Sequence, residues 1–289
     1  MLYFPSPYPG ELLGSLLIRA CHHLGLSPKA LGRLIASTSN GLSFLYPSSL
    51  ASLSQLTRIP ALELLQYHTV FPYAAIGLSD QKRSTLECDL LSGTARGSSV
   101  RLRAAFGLHL EMLSRRRFCK QCCLEDRRRF GESYWHIQHI LPGAFVCLEH
   151  GTALQIAHFS MGQKLKADNA MLPQETPGEA CYWGLNEELM RKIAVAVVEA
   201  MGLPAHTWNT LDSGNRRTTC LMVDGSVTNR ARVNALSVRL GDFYGLEFLE
   251  NIGLSPRTTE EWPGVLLYGT GNRILLQLRL ILLRLLLEH

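Results

Sequence analysis

The sequence has no apolar run long enough to cross a bilayer. Its longest, residues 274–287, is interrupted by Gln277, Arg279 and Arg284. It falls short of the roughly 20 apolar residues that a span requires. The chain opens without a basic segment, and Met1-Leu2-Tyr3-Phe4-Pro5 is broken by proline, which excludes the pattern of a secretory leader. These absences predict a cytoplasmic protein with no membrane contact. Charge is also scarce, at 18% of residues, and the net charge of +5 is only mildly basic. Total charge therefore does not argue for nucleic acid; its distribution has to.

Common catalytic signatures are missing too. There is no GxxxxGK[ST], HExxH, GxSxG or GxGxxG. Gly269-Thr270-Gly271 lacks a third glycine and reads as a turn. Carboxylates are scattered, with no cluster suited to two-metal phosphoryl transfer. A binding protein is expected rather than an enzyme.

What is present is a large apolar fraction, 46%, enough for a sizeable core. Apolar spacing predicts a mainly α fold. Helices are expected over 11–23, from Ser27-Pro28 onward carrying Leu31, Leu34 and Ile35, and near 48–55 and 60–68. The last two have the rhythm of a helix–turn–helix. Further helices are expected at 186–201, capped by Asn186, at 228–244 and at 272–287. The chain divides into an N-terminal helix–turn–helix-like unit (1–95), a central zinc-binding part (96–155), a polar linker (156–185) and a C-terminal helical domain (186–289). Leu287-Glu288-His289 resembles the start of an appended tag, and the natural protein is expected to continue further.

Four of the eight cysteines lie between 119 and 147. Cys119-Lys-Gln-Cys122 is a CxxC pair, and Cys147-Leu-Glu-His150 is a CxxH pair. Two short-spaced pairs joined by a loop are what tetrahedral Zn²⁺ takes. Three thiolates and one imidazole leave no position for a reactive water, so one structural Zn²⁺ is expected. Cys123 in place of Cys122 would give a CxxxC spacing. His136 and His139 sit in an aromatic and apolar stretch and are expected to be core or hydrogen-bonding residues. Cys21, Cys88, Cys181 and Cys220 have no partners in sequence and read as core thiols. Arg115, Arg116, Arg117 and Lys120 flank the first knuckle, and Arg127, Arg128 and Arg129 follow it. These seven cations are the candidate DNA phosphate contacts.

The opening Phe4-Pro5-Ser6-Pro7-Tyr8-Pro9-Gly10-Glu11-Leu12-Leu13-Gly14-Ser15-Leu16-Leu17-Ile18-Arg19 resembles that of TniQ/TnsD proteins. Phe118-Cys119-Lys120-Gln121-Cys122, Gly131-Glu132-Ser133-Tyr134-Trp135-His136, His139-Ile140-Leu141-Pro142-Gly143 and Val146-Cys147-Leu148-Glu149-His150-Gly151 are similar to that family's zinc-knuckle core in order and spacing. The resemblance covers about 1–155. It continues more weakly through residues 243–249 and the final leucine-rich helix. It implies a target-site selector of a DNA transposon, joining target DNA, or a CRISPR guide-RNA effector complex on DNA, to an AAA+ ATPase transposition regulator. Phe4, Pro5 and Tyr8 would then belong to the face for the regulator. A stand-alone site-specific DNA-binding regulator is the alternative.

Overall fold

The computed structural model describes residues 3–36, 41–45, 49–93, 103–202, 229–256, 262–263 and 277–288. Cys220 and the 269–271 turn lie outside them. Helix α1, Leu13–Leu24, buries Leu13, Leu16, Leu17 and Ala20 as their spacing requires. Its first N–H groups have no partner within the helix. Other segments satisfy them: Leu12 N–H donates to Trp135 O at 3.0 Å and Leu13 N–H to His68 O at 2.8 Å. The helix is thereby tied to chain more than 100 residues away.

Helix α2, Pro28–Ala36, starts as expected, with Ser27 Oγ accepting from Ala30 N–H at 3.2 Å. Leu31 and Ile35 are buried, whereas Leu34 points to solvent. Helices α3 (Leu50–Thr57) and α4 (Ala61–Tyr67) pack on each other across a three-residue turn. Short α5 (Phe71–Ala74) and longer α6 (Asp80–Ser92) complete this part.

Gly14 explains how α1 meets its neighbours. A Cβ there would lie 1.8 Å from Phe44 O, so only glycine permits this backbone approach. Gly14→Ala is expected to destabilise the chain by about 1–3 kcal/mol or more. A thermal melt reads this, and an unchanged midpoint would show that the approach tolerates a methyl group.

Helix α7 (Glu111–Ser114) leads into β1 (Arg115–Phe118), followed by α8 (Lys120–Phe130) and α9 (Ile137–Ile140). Strands β2 (Gln155–Ser160) and β3 (Gly178–Ala180) complete an antiparallel sheet in the order β1-β2-β3. Segment 156–185 is therefore not a linker. Its polar, proline-bearing composition hides two strands held by backbone pairing, Ile156 opposite Arg117 and Glu179 opposite Ile156. Only Ala157 of β2 is fully buried, so no alternating apolar pattern marks it.

Helix α10, Glu187–Gly202, is capped by Asn186, whose Oδ1 accepts from Leu189 N–H at 2.8 Å. Helices α11 (Asn229–Tyr244), α12 (Leu246–Asn251) and α13 (Gln277–Leu287) follow. They share the core of the first half. Gln277 Nε2 donates to Ala74 O at 3.0 Å. A Cβ on Gly143, where φ is +98°, would meet Val197 and Leu278 side chains at 2.7 and 2.8 Å. Buried apolar residues from Phe4 to Leu286 form one contiguous cluster. Among the described residues no helix is long and apolar enough to cross a membrane.

Candidate metal centre

Cys119 follows β1 in extended backbone and stands as N-cap of α8, while Cys122 lies in the first turn of that helix. This places both sulphurs at a helix N-terminus, where the backbone dipole favours thiolate. Cys147 and His150 come from a tight turn. Cys147 N–H donates to Thr152 O and Gly151 N–H to Cys147 O, each at 2.8 Å, and Val146 bridges Ala153.

The two turns converge. His150 Nδ1 lies 3.6, 3.3 and 3.5 Å from the sulphurs of Cys119, Cys122 and Cys147. Cys122 and Cys147 sulphurs are 3.6 Å apart. All four donor atoms lie within 4.8 Å of one another. Tetrahedral bonds of zinc-like length would separate sulphurs by about 3.8 Å and sulphur from nitrogen by about 3.5 Å. The donor set therefore fits one four-coordinate metal ion. The outer ring nitrogen, His150 Nε2, is 2.9 Å from Glu125 Oε1, the carboxylate contact that fixes a ligating imidazole's tautomer. That hydrogen bond also raises the basicity of His150. Hydrogen bonds from Cys122 and Cys147 hold the Cys119 thiol well below the usual range.

His136 and His139 are not in the cluster. His136 Nε2 bonds Asp126 Oδ2 at 2.9 Å. His139 is buried with Nε2 3.8 Å from Cys122 Sγ, and burial pushes it down to about 3, so it is neutral. Among the described residues its Nδ1 has no partner. Cys123 is buried beside the centre without joining it. Of the other expected core thiols, Cys21 is buried, Cys181 half-buried and Cys88 exposed.

The basic cluster splits. Arg116 and Arg117 are fully buried, so neither is a DNA contact. Strand alternation should turn one of two neighbours outward. The β1–β2 register is irregular between Arg115 and Arg117, and both Arg116 and Arg117 point inward. Arg117 donates to Leu113 O (3.3 Å), Ile140 O (2.8 Å) and Leu141 O (3.1 Å), gathering the carbonyl ends of α7 and α9. Arg116 donates to Asn169 O at 2.8 Å and lies 3.8 Å over the Phe44 ring. Burial pushes these guanidiniums down, Arg116 to about 9 and Arg117 to about 10, and both stay charged at neutral pH. Arg115 is half-buried and paired with Glu111. Lys120, Arg127, Arg128 and Arg129 are exposed on α8.

The proline-aromatic opening is also spent inward. Phe4 and Pro5 are buried in the chain's own core, which removes them from any partner face. Tyr8 stacks on Phe130 at 4.2 Å, and the Arg19 guanidinium lies 3.6 Å from its ring centroid. Behind it stands a buried network that residue types alone did not single out. Arg19 Nη1 meets Glu11 Oε2 at 2.7 Å, and Arg19 Nε meets Glu132 Oε1 at 2.8 Å. Glu11 also accepts from Tyr8 N–H (2.9 Å) and Ser15 Oγ (2.8 Å), while Ser15 Oγ accepts from Trp135 N–H at 2.9 Å. Burial pushes the Glu11 carboxyl up to about 7 against these donors. Since Arg19, Tyr8 and Ser15 all donate to it, the arrangement suits the ionised form. The signal in sequence was the pairing of Glu11 and Arg19, eight residues apart on an otherwise apolar segment.

Fold and site together define a mainly helical protein braced where two sequence-distant turns bring three sulphurs and an imidazole nitrogen to one point. The chain belongs to the TniQ family, whose model matches residues 2–154, more than half of it. It is also similar to the transposon Tn7 transposition protein TnsD of Escherichia coli, with 29% identity over 157 residues. That match covers 52% of this chain and 31% of TnsD, so it spans about a third of that relative's length.

Proposed function

We propose that the chain is a non-enzymatic target-selection adaptor of a DNA transposon, and that its metal is one structural Zn²⁺. On this reading it joins target DNA, or a guide-RNA effector complex bound to DNA, to an AAA+ ATPase transposition regulator. The observation that carries it is family membership across 2–154 together with the similarity to a transposition protein. The Cys₃His donor set supports zinc in a closed site, which shapes the chain rather than activating water.

Helix α8 supports direct DNA contact. At about 100° per residue, Arg127, Lys120, Leu124 and Arg128 share one outward stripe. Helix α4, the second of the helix–turn–helix-like pair, presents Leu62, Glu63 and Tyr67 and carries no cation. That composition does not suit base or phosphate readout. The stripe would equally serve a DNA-binding regulator that acts without transposition partners.

Gel filtration of the full chain with the ATPase regulator, ATP and target duplex tests the reading. Co-elution is expected; separate elution of chain and ATPase, with DNA shifted by the chain alone, would favour the regulator instead. Reversing Lys120, Arg127 and Arg128 to Glu is expected to weaken duplex binding. The slope of log affinity against log salt should fall by about 0.9 for each phosphate that the chain no longer neutralises. Unchanged binding would move the DNA surface off α8.

A further inference from the structure

The face of the arm and of α8 turned toward α4 differs in chemistry from the outward stripe. A cleft of about 780 Å³ opens there, bounded by Tyr67 of α4, by Pro9 and Gly10 of the N-terminal arm (residues 3–12, ahead of α1), and by α8. Glu125, Asp126 and Glu149 bring three carboxylates to it, against one guanidinium, Arg129. Asp126 is held by His136, and one oxygen of Glu125 by His150. Glu149 is exposed. Tyr67 is 69% exposed, unusual for so large an apolar ring, and offers the open aromatic face of the cleft; Phe130 also lines it, half-buried, with Arg129 already 5.0 Å from its ring centroid. Val198 and Met201 of α10 add an apolar wall.

We infer that this cleft binds an arginine-bearing apolar peptide segment of a protein partner. Carboxylates beside aromatic faces suit a guanidinium, which stacks on a ring and donates paired hydrogen bonds to a carboxylate. The apolar wall takes a neighbouring aliphatic side chain. The volume accommodates a few side chains rather than a helix. Phosphate would meet three carboxylates here, so nucleic acid is the wrong class of occupant. The inference goes beyond the transposition reading and holds whether or not that reading does.

The test uses the full metal-bound chain and a phage-displayed library of random dodecapeptides. Enriched peptides are expected to share an arginine beside an aliphatic or aromatic residue. A synthetic, fluorescein-labelled copy should bind wild type at least about tenfold more tightly than Tyr67→Ala or Glu149→Lys, by anisotropy. Tyr67 is exposed and away from the ligands, so Tyr67→Ala should keep the wild-type melting temperature and metal content, whereas Glu149 lies between two ligands with Oε2 3.9 Å from Cys122 Sγ, so Glu149→Lys is compared only at full metal loading. The same peptide with arginine changed to glutamate should not bind wild type, which keeps the test independent of variant folding. No enrichment, enrichment of acidic or uncharged peptides, or equal binding by the variants overturns the inference. So does displacement of the peptide by duplex DNA whose own binding disappears in Tyr67→Ala, since that assigns the cleft to nucleic acid.

Discussion

Replacing Cys119 by Ser, or His150 by Ala, is expected to abolish stoichiometric metal binding and to unfold the middle of the chain. The cause is the origin of the site's four donors. Two come from the β1–α8 junction and two from a turn about 25 residues later, so a bound ion would close a loop that includes α8 and α9. Structural zinc contributes apparent binding free energies of about 10–16 kcal/mol in small peptides at neutral pH. Whole domains are stable by only about 5–15 kcal/mol. Loss of one ligand should therefore exceed what the remaining contacts supply around Trp135, and a strong chelator should have the same effect on wild type. Metal content by mass spectrometry and a thermal melt are the readouts. A Cys119→Ser chain with one ion and an unchanged midpoint would show that the ligand set is wrong. His139, whose Nε2 is 3.8 Å from Cys122 Sγ, would be the next candidate.

Arg19→Ala is expected to cost about 3–5 kcal/mol, because it leaves the buried Glu11 carboxylate without its cation. Glu11 is fully buried and Arg19 nearly so. Glu11→Ala should cost a similar amount, while the double replacement should cost much less than the sum, the mark of a shared interaction. Urea titration of the four chains measures the coupling. Single-variant costs below about 1 kcal/mol would mean that the pair is already hydrated or that Glu132 alone satisfies Arg19. The replacements should also release the arm, since Tyr8 N–H, Ser15 and Trp135 N–H all depend on the position of Glu11.

The metal ligands were legible because each knuckle is a local pattern whose spacing states its geometry. The helices were legible for the same reason, and Ser27 and Asn186 cap where their residue types and positions say they should. Arg116 and Arg117 were not. A run of arginines reads as solvated surface, and the register irregularity that turns both inward depends on β2, forty residues away. The strands within 156–185 were not legible because backbone pairing with Arg115 and Arg117 leaves no trace in side-chain periodicity. Phe4 and Pro5 could be read as a partner's anchor or as the chain's own. Only their burial against the rest of the chain decides for the second. The cleft at Tyr67 was invisible because its walls come from five separate stretches of chain.

The start of α1 has a bearing on synthesis. Its leading N–H groups wait for carbonyls of His68 and Trp135, and Gly10 O waits for the N–H of Ile137. Ribosomes add about 5–20 residues per second, so His68 follows the end of the first helix by about 2–9 s and Trp135 and Ile137 by about 6–23 s. Throughout that interval its leucine face lacks its final cover. The native N-terminus can therefore mature only when the segment between the two knuckles has been made, and a chain released before that point would expose the leucine face of its first helix.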